Sequence, residues 1–299
     1  MLIAPKEMHN LSFIAFIALG VVLYWTPIAD LSHLVNKSEL YSHIPLIPIV
    51  SGYFLVADRK DIFRNVSWEY WKGAALLGIA VLVRWFGEGC LLNPNPNDCL
   101  SVHMLGFVIW IQGCFALSYG GSALKRALFP LLFLVFLIPI PTFILNPFVR
   151  FLQLGSAEAA YHLFKAAGTP VFRDGFLFSL PGLTIEVAEQ CSGIRSTIAL
   201  FITAVVAGKL FLQKPQSRGI LILAVLPITI FKNGLRIVTL SWLAIHVNPK
   251  FITGSWLHSS GGIPFFGVAL LFLMPVVWIL RKTEGGGHKA ERPVHKFMS

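Results

Sequence analysis

The sequence predicts an all-α integral membrane protein, a multi-pass bundle of about eight transmembrane helices with a small extracytoplasmic amphipathic helix and short strands. Three observations predict it. Of 299 residues, 56% are hydrophobic and only 13% charged, about half the charged fraction of a soluble domain. Eight apolar stretches approach the roughly 20 residues that a helix needs to cross hydrocarbon. The Lys and Arg residues fall mostly on alternate loops. So little charge cannot wet a soluble surface, which excludes an ordinary soluble enzyme, a disordered chain, and collagen-like or disulfide-scaffold classes. The excess of 24 Lys and Arg over 14 acids, net +10, is read as helix orientation, and no nucleic-acid partner is expected. The four cysteines show no Cys-x-x-Cys and no paired Cys/His spacing, so neither a metal nor a cofactor is expected.

Taken in order, the expected spans are Leu11–Ile28, Ile44–Val56, Gly73–Phe86, Val102–Tyr119, Leu128–Leu145, Ile194–Leu210, Ile220–His246 and Ile263–Leu280. The first is too long for a signal-peptide core and ends in Tyr24-Trp25-Thr26-Pro27 without a small-x-small cleavage site, so it reads as a retained helix. Arg84, near the end of the third, is expected to snorkel outward. With Met1 inside, 15 of the 24 Lys and Arg residues fall on the inner side and 5 on the outer. That split predicts cytoplasmic termini and an even number of helices. The whole reads as one polytopic membrane domain over 1–282, its catalytic half about 146–282, with 283–299 a disordered cytoplasmic tail.

Two outer segments stand apart. Cys90 and Cys99 bracket a loop that carries Asp98 but no Lys or Arg; a disulfide and two free thiols are equally open there. From Pro147 to Ala166, Phe148, Phe151, Leu152, Ala159 and Leu163 recur at helical spacing, while Arg150, Gln153, Glu158 and Lys165 lie largely elsewhere on the wheel. That pattern predicts an interfacial amphipathic helix, stopped by Gly168 and Pro170. Asp174-Gly175 and Pro181-Gly182 then punctuate three short strands, Val171–Phe172, Phe176–Leu180 and Thr184–Val187.

Ionisable residues at helix ends beside a membrane cavity are functional candidates. Glu189, Cys191 and Arg195 mark the entry to the sixth span, Lys232, Asn233 and Arg236 the outer part of the seventh, and His258 the Gly/Ser-rich loop before the eighth. A lone Cys is ordinarily an inert small hydrophobe, but Cys191 is placed near a helix N-terminus with Arg195 one turn on, and both stabilise a thiolate. Lys232 and Arg236 stand one turn apart on an apolar helix and need anionic company. The guanidinium fork of Arg236 suits an oxyanion. His258 titrates near neutrality and can protonate a leaving amine. Together they supply a nucleophile, an oxyanion donor and an acid/base for acyl transfer through a thioester.

The segments Glu189-Gln190-Cys191-Ser192-Gly193-Ile194-Arg195, Asn233-Gly234-Leu235-Arg236-Ile237 and His258 followed by Gly262 resemble the exosortase/archaeosortase family. Ser42-His43 and Pro139-Ile140-Pro141 are similar to its weaker motifs. The resemblance implies a membrane-embedded cysteine transpeptidase with Cys191, Arg236 and His258 as catalytic residues, and His258 in place of a second Arg points to the bacterial branch. It implies substrate proteins bearing a C-terminal sorting signal (a short motif such as Pro-Glu-Pro, a transmembrane helix, then basic residues). It further implies an acceptor that is an exopolysaccharide, a lipid or water, and a site that faces the periplasm from the bacterial inner membrane. Arg195, Lys232, Asn233 and Glu189 are then the expected substrate contacts, with Arg195 or Lys232 meeting the acidic residue of the motif. Two other classes stay open: a membrane acyltransferase or lipid-modifying enzyme, which uses Cys and His equally well, and a transporter, which ordinarily shows repeated halves and a midplane site.

Overall fold

The computed structural model describes residues 5–67, 70–89, 95–188, 192–249, 251 and 262–285. The chain divides into two compact units, Met1–Leu145 and Asn146–Ser299.

In the first unit, α1 (Pro5–Leu23) and α2 (Trp25–Lys37) bend by 72° at Tyr24, where one continuous span was expected. Pro27 in the first turn of α2 is tolerated there because its missing N–H is not needed. Tyr24 is buried at the corner and its hydroxyl donates to the Ala80 carbonyl at 3.1 Å. Arg84, rather than snorkelling, turns back to this corner: it donates to the Leu23 carbonyl at the open end of α1, lies over the Tyr24 ring and pairs with Glu88 at 3.6 Å. A cation at the C-terminal end of a helix is favoured by the helix dipole.

Next come α3 (Leu46–Ala57), the single turn α4 (Arg59–Ile62), α5 (Tyr70–Gly89) and α6 (Pro96–Tyr119). The last two pack closely because small residues face their partner. A Cβ on Gly73 would lie 2.6 Å from the Leu117 backbone, and one on Gly113 3.0 Å from Leu77. Asn95 caps α6 by accepting from the Asn97 amide, and Pro96 opens it. Phe13, Phe63, Phe115 and Tyr119 form an aromatic cluster near its far end. Short helices α7 (Gly121–Arg126) and α8 (Leu128–Phe133) lead to a 3₁₀ turn ending at Leu137. Pro139 and Pro141 stop the helix there, so the expected fifth span breaks and α9 (Thr142–Ala166) begins early. Asp98 accepts from the Thr142 backbone and hydroxyl at 2.6 and 2.7 Å, a carboxylate at the positive end of α9. Cys99 is disulfide-bonded; Cys90 lies outside the described residues.

The second unit holds most of α9, a three-stranded antiparallel sheet of β1 (Phe172–Asp174), β2 (Leu177–Leu180) and β3 (Leu183–Glu186), and helices α10 (Ile194–Phe211), α11 (Pro215–His246) and α12 (Gly262–Gly285). Gly182, at φ +76°, supplies the left-handed step in the Pro181-Gly182 turn. The strands fall within two residues of their expected ends. One apolar cluster joins Ala157, Ala160 and Phe164 of α9 to Phe178, Leu180 and Val187 and to Ile237 of α11. A second joins Leu200 and Ala204 of α10, Leu221 and Val225 of α11, and Ala269 and Leu273 of α12.

The face α9 buries is not the one the periodicity favoured. Leu152, Gln153, Ser156, Ala157 and Ala160 are buried, whereas Phe151 and Leu154 are exposed. In hydrocarbon, helices approach through small residues and leave large apolar ones to lipid. Gly155 abuts Ile230, and a Cβ on Gly234 would come within 2.7 Å of the Ala159 Cβ.

The protein is a multi-pass membrane protein. Among the described residues five helices are long and apolar enough to cross a membrane, or seven if each bent pair counts as one span. The expected third span, Gly73–Phe86, forms within the 20-residue α5 but is not among them; Lys72, Arg84 and Glu88 dilute its apolar length.

Gly73→Ala is expected to destabilise the first unit by roughly 1–3 kcal/mol, because its Cβ meets backbone. Gly78→Ala, with open space around it, is expected to be neutral or mildly stabilising. Thermal unfolding in detergent checks the contrast, and equal melting temperatures would sink the packing argument.

Candidate functional site

The ionisable residues of α11 form one stripe. Thr229, Lys232, Asn233 and Arg236 follow the three-and-four spacing that aligns side chains on one helix face. Lys232 is 2% exposed, Asn233 fully buried and Arg236 half-buried. The stripe lies between the α11 surface that meets α9 (Ile230, Gly234, Ile237) and the one that packs on α10 and α12 (Leu221, Val225).

The start of α10 is pinned to this stripe. Gly193 has φ +78°, a region only glycine adopts without strain. A Cβ there would also sit 3.0 Å from Asn233 Oδ1. The Gly193 carbonyl accepts from the Thr197 amide and from the Ser196 and Thr197 hydroxyls at 2.8–3.0 Å, closing the first turn. Ser196 Oγ in turn accepts from the Lys232 ammonium at 2.5 Å. A buried cation is tolerated only with such a partner.

The chain ahead of this turn is anchored as well. Gln153, expected on the polar side of α9, is buried and donates to the Val187 carbonyl at 2.5 Å; the Val187 amide donates to Phe176 at 3.0 Å. Arg173 pairs with Glu158 at 2.5 Å and lies over Phe178, which ties β1 to α9. Val187 and Gly193, which flank residues 189–191 in the sequence, are thus each held by contacts of their own. The Ser192 and Thr229 hydroxyls are buried with no partner among the described residues. Orphaned buried hydroxyls mark places where water or a ligand completes the bonding.

Of the sequence-predicted residues, Lys232, Asn233 and Arg236 come together on the stripe. Arg195 is exposed, so the first turn of α10 presents Ser196 and not its arginine to Lys232. Glu189, Cys191 and His258 lie outside the described residues. Sequence reasoning missed Ser196, Gln153 and the left-handed step at Gly193. The first had a signal: a lysine inside an apolar helix demands an acceptor nearby.

Residues 33–275 match the protein family described as transmembrane exosortase, Exosortase_EpsH. That stretch runs from the end of α2 into α12 and contains all three positions of the expected triad. Comparison with curated proteins and with solved structures gives no match.

Ser196→Ala is expected to destabilise the protein by about 1–3 kcal/mol, the effect of leaving a buried polar partner unmatched. Adding Lys232→Met removes the orphaned charge and is expected to restore most of that loss. A double-mutant cycle on melting temperature decides it: simple additivity would exclude the bond as a coupling element.

Proposed function

As the chain belongs to the transmembrane exosortase family, we propose that it is a membrane cysteine transpeptidase acting on proteins with C-terminal sorting signals. The observation that supports this reading is the anchoring of the residues that flank Cys191 in the sequence. Val187 is held by Gln153 and Phe176, and Gly193 packs on Asn233, one helical turn from Arg236. Lys232 adds a second positive charge one turn from Arg236 on that stripe, and the N-terminus of α10 adds its partial charge. Each favours a thiolate over a thiol.

In this reading the Cys191 thiolate attacks a backbone carbonyl of the substrate. The C–O π electrons move to oxygen, and Arg236 stabilises the oxyanion. Collapse re-forms the carbonyl and breaks the C–N bond, with His258 donating its proton to the departing amine. Neutral His258 then takes a proton from the acceptor, an amine or hydroxyl of a sugar or lipid, or water. That acceptor attacks the thioester and regenerates the thiolate. A substrate carrying its own transmembrane helix meets the enzyme in two dimensions, which raises the effective concentration of the scissile bond. The exposed edge strands of the sheet suit an extended motif, and its acidic residue is assigned to the exposed Arg195 in preference to the buried Lys232. Location in the bacterial inner membrane, with the site periplasmic and both termini cytoplasmic, belongs to the same reading.

The test is co-expression with a tagged substrate bearing such a signal, following its removal on a gel. Cys191→Ala and His258→Ala are expected to reduce processing to background, and Arg236→Lys by at least about tenfold, since an ammonium lacks the planar fork. Full processing by Cys191→Ala would end the nucleophile assignment. Trapping the Cys191 adduct identifies it as peptidyl, as proposed, or as fatty acyl, which would move the protein to the acyltransferases.

A further inference from the structure

The first unit carries a site that the acyl-transfer reading does not use. The span Glu39–Ala57 and the span Pro96–Tyr119 end at one cavity, which Leu55 and Val56 line from the first and Tyr119 from the second; Ser67, shortly before α5, donates to the Tyr119 carbonyl there. Tyr70 and Trp71 then begin α5 and are 65% and 81% exposed, as in a membrane-interface aromatic belt. The cavity has a volume of about 750 Å³. Its wall is apolar, from Leu55, Val56, Phe63, Val66 and Tyr119, while Arg59, Lys60 and Arg64 line its remaining side together with His9 and Asn10.

The electrostatics of this cavity are one-sided. Asp58 and Asp61 alternate with the cations along the chain but do not line the cavity. Arg59, Lys60 and Arg64 are all exposed, and among the described residues none of them makes an ion pair. Asn10 accepts from the Tyr119 hydroxyl at 2.9 Å through its carbonyl oxygen, which leaves its amide hydrogens to donate. Three cations and an amide over an apolar wall at headgroup depth match one ligand chemistry, a phosphate joined to hydrocarbon. A free anion would use the cations and leave the apolar wall bare. From Val56 at the cavity wall, Tyr53 and Ile49 continue an exposed apolar stripe along α3, a track along which acyl chains can lie.

We propose that the cavity between the start of α1, the end of α3 and the end of α6 is a binding site for an anionic phospholipid, with Arg59, Lys60 and Arg64 holding its phosphate and Val56 and Phe63 its first methylenes. The proposal is independent of the chemistry at Cys191.

The full-length protein in detergent is exchanged into mixed phosphatidylglycerol and phosphatidylcholine, washed, and the retained lipid is counted by native mass spectrometry. Phosphatidylglycerol is expected to be retained at least about tenfold over phosphatidylcholine, because the cations favour an anionic headgroup. The triple variant R59Q/K60Q/R64Q is expected to lose that preference, and R59K/R64K to keep it. Val56→Trp fills the cavity without touching its charge and is expected to lose retention several-fold, with each variant's melting checked alongside. Undiminished retention by the triple variant would overturn the proposal. Undiminished retention by Val56→Trp would reduce it to surface charge, and full displacement by millimolar inorganic phosphate would reassign the cavity to a soluble anion; both outcomes also overturn it.

Discussion

A polar group inside hydrocarbon has to be satisfied by the protein itself, and the buried ammonium of Lys232 is where that constraint is sharpest. Its bond to Ser196 fixes the first turn of α10 against the middle of α11. That contact needs the two backbones close, which Gly193 permits by having no Cβ to meet Asn233. The same helix admits α9 on its neighbouring face through Gly234. An apolar residue at 232 would remove the demand for a partner and with it the reason for α10 to begin where it does.

Around this contact the second unit holds Val187 and Gly193, each through partners distant in sequence. The sheet is small, and its strands pack on α9 and α11 through Phe178, Leu180 and Val187. Its use is positional: it brings the chain out of α9, across two tight turns and back to a carbonyl that Gln153 grips. The first unit solves a different problem. Its core is aromatic near one end of α6 and glycine-packed along α5, and its polar bonds sit at corners, such as Tyr24 on Ala80 and Asp98 on Thr142.

Much of this was legible in the sequence because hydrocarbon restricts what a chain can do. Apolar length placed most of the spans, and the Asp-Gly and Pro-Gly pairs placed the strands. The spacing of Lys232, Asn233 and Arg236 gave the stripe directly. What escaped depended on partners distant in sequence. Nothing local to Tyr24 says that α1 turns there, since the corner is held by Ala80 and Arg84 from another helix. The polarity of Gln153 argued for a solvent face, but polarity also suits a buried donor when an acceptor 34 residues away is brought to it. A serine in the first turn of a helix has an ordinary local use, so nothing local to Ser196 points to Lys232, 36 residues on. The large side chains of α9 marked an amphipathic helix correctly, but the face that meets protein is the one with small residues, as lipid solvates the large ones.

At the other end of α11, the Glu284 carboxylate accepts from the amides of Gln213 and Lys214 at 2.8 and 2.9 Å, while Arg218 grips the Leu212 carbonyl. The helix is thus clamped at its base, and Lys232 stands about 26 Å along it. Such a rod acts as a dipstick: the depth and compass bearing of the polar stripe are set from the far side of the bundle. One extra residue in that stretch would swing the stripe through about 100° and turn its charges towards the oily surroundings, although every side chain of the site itself remained unaltered.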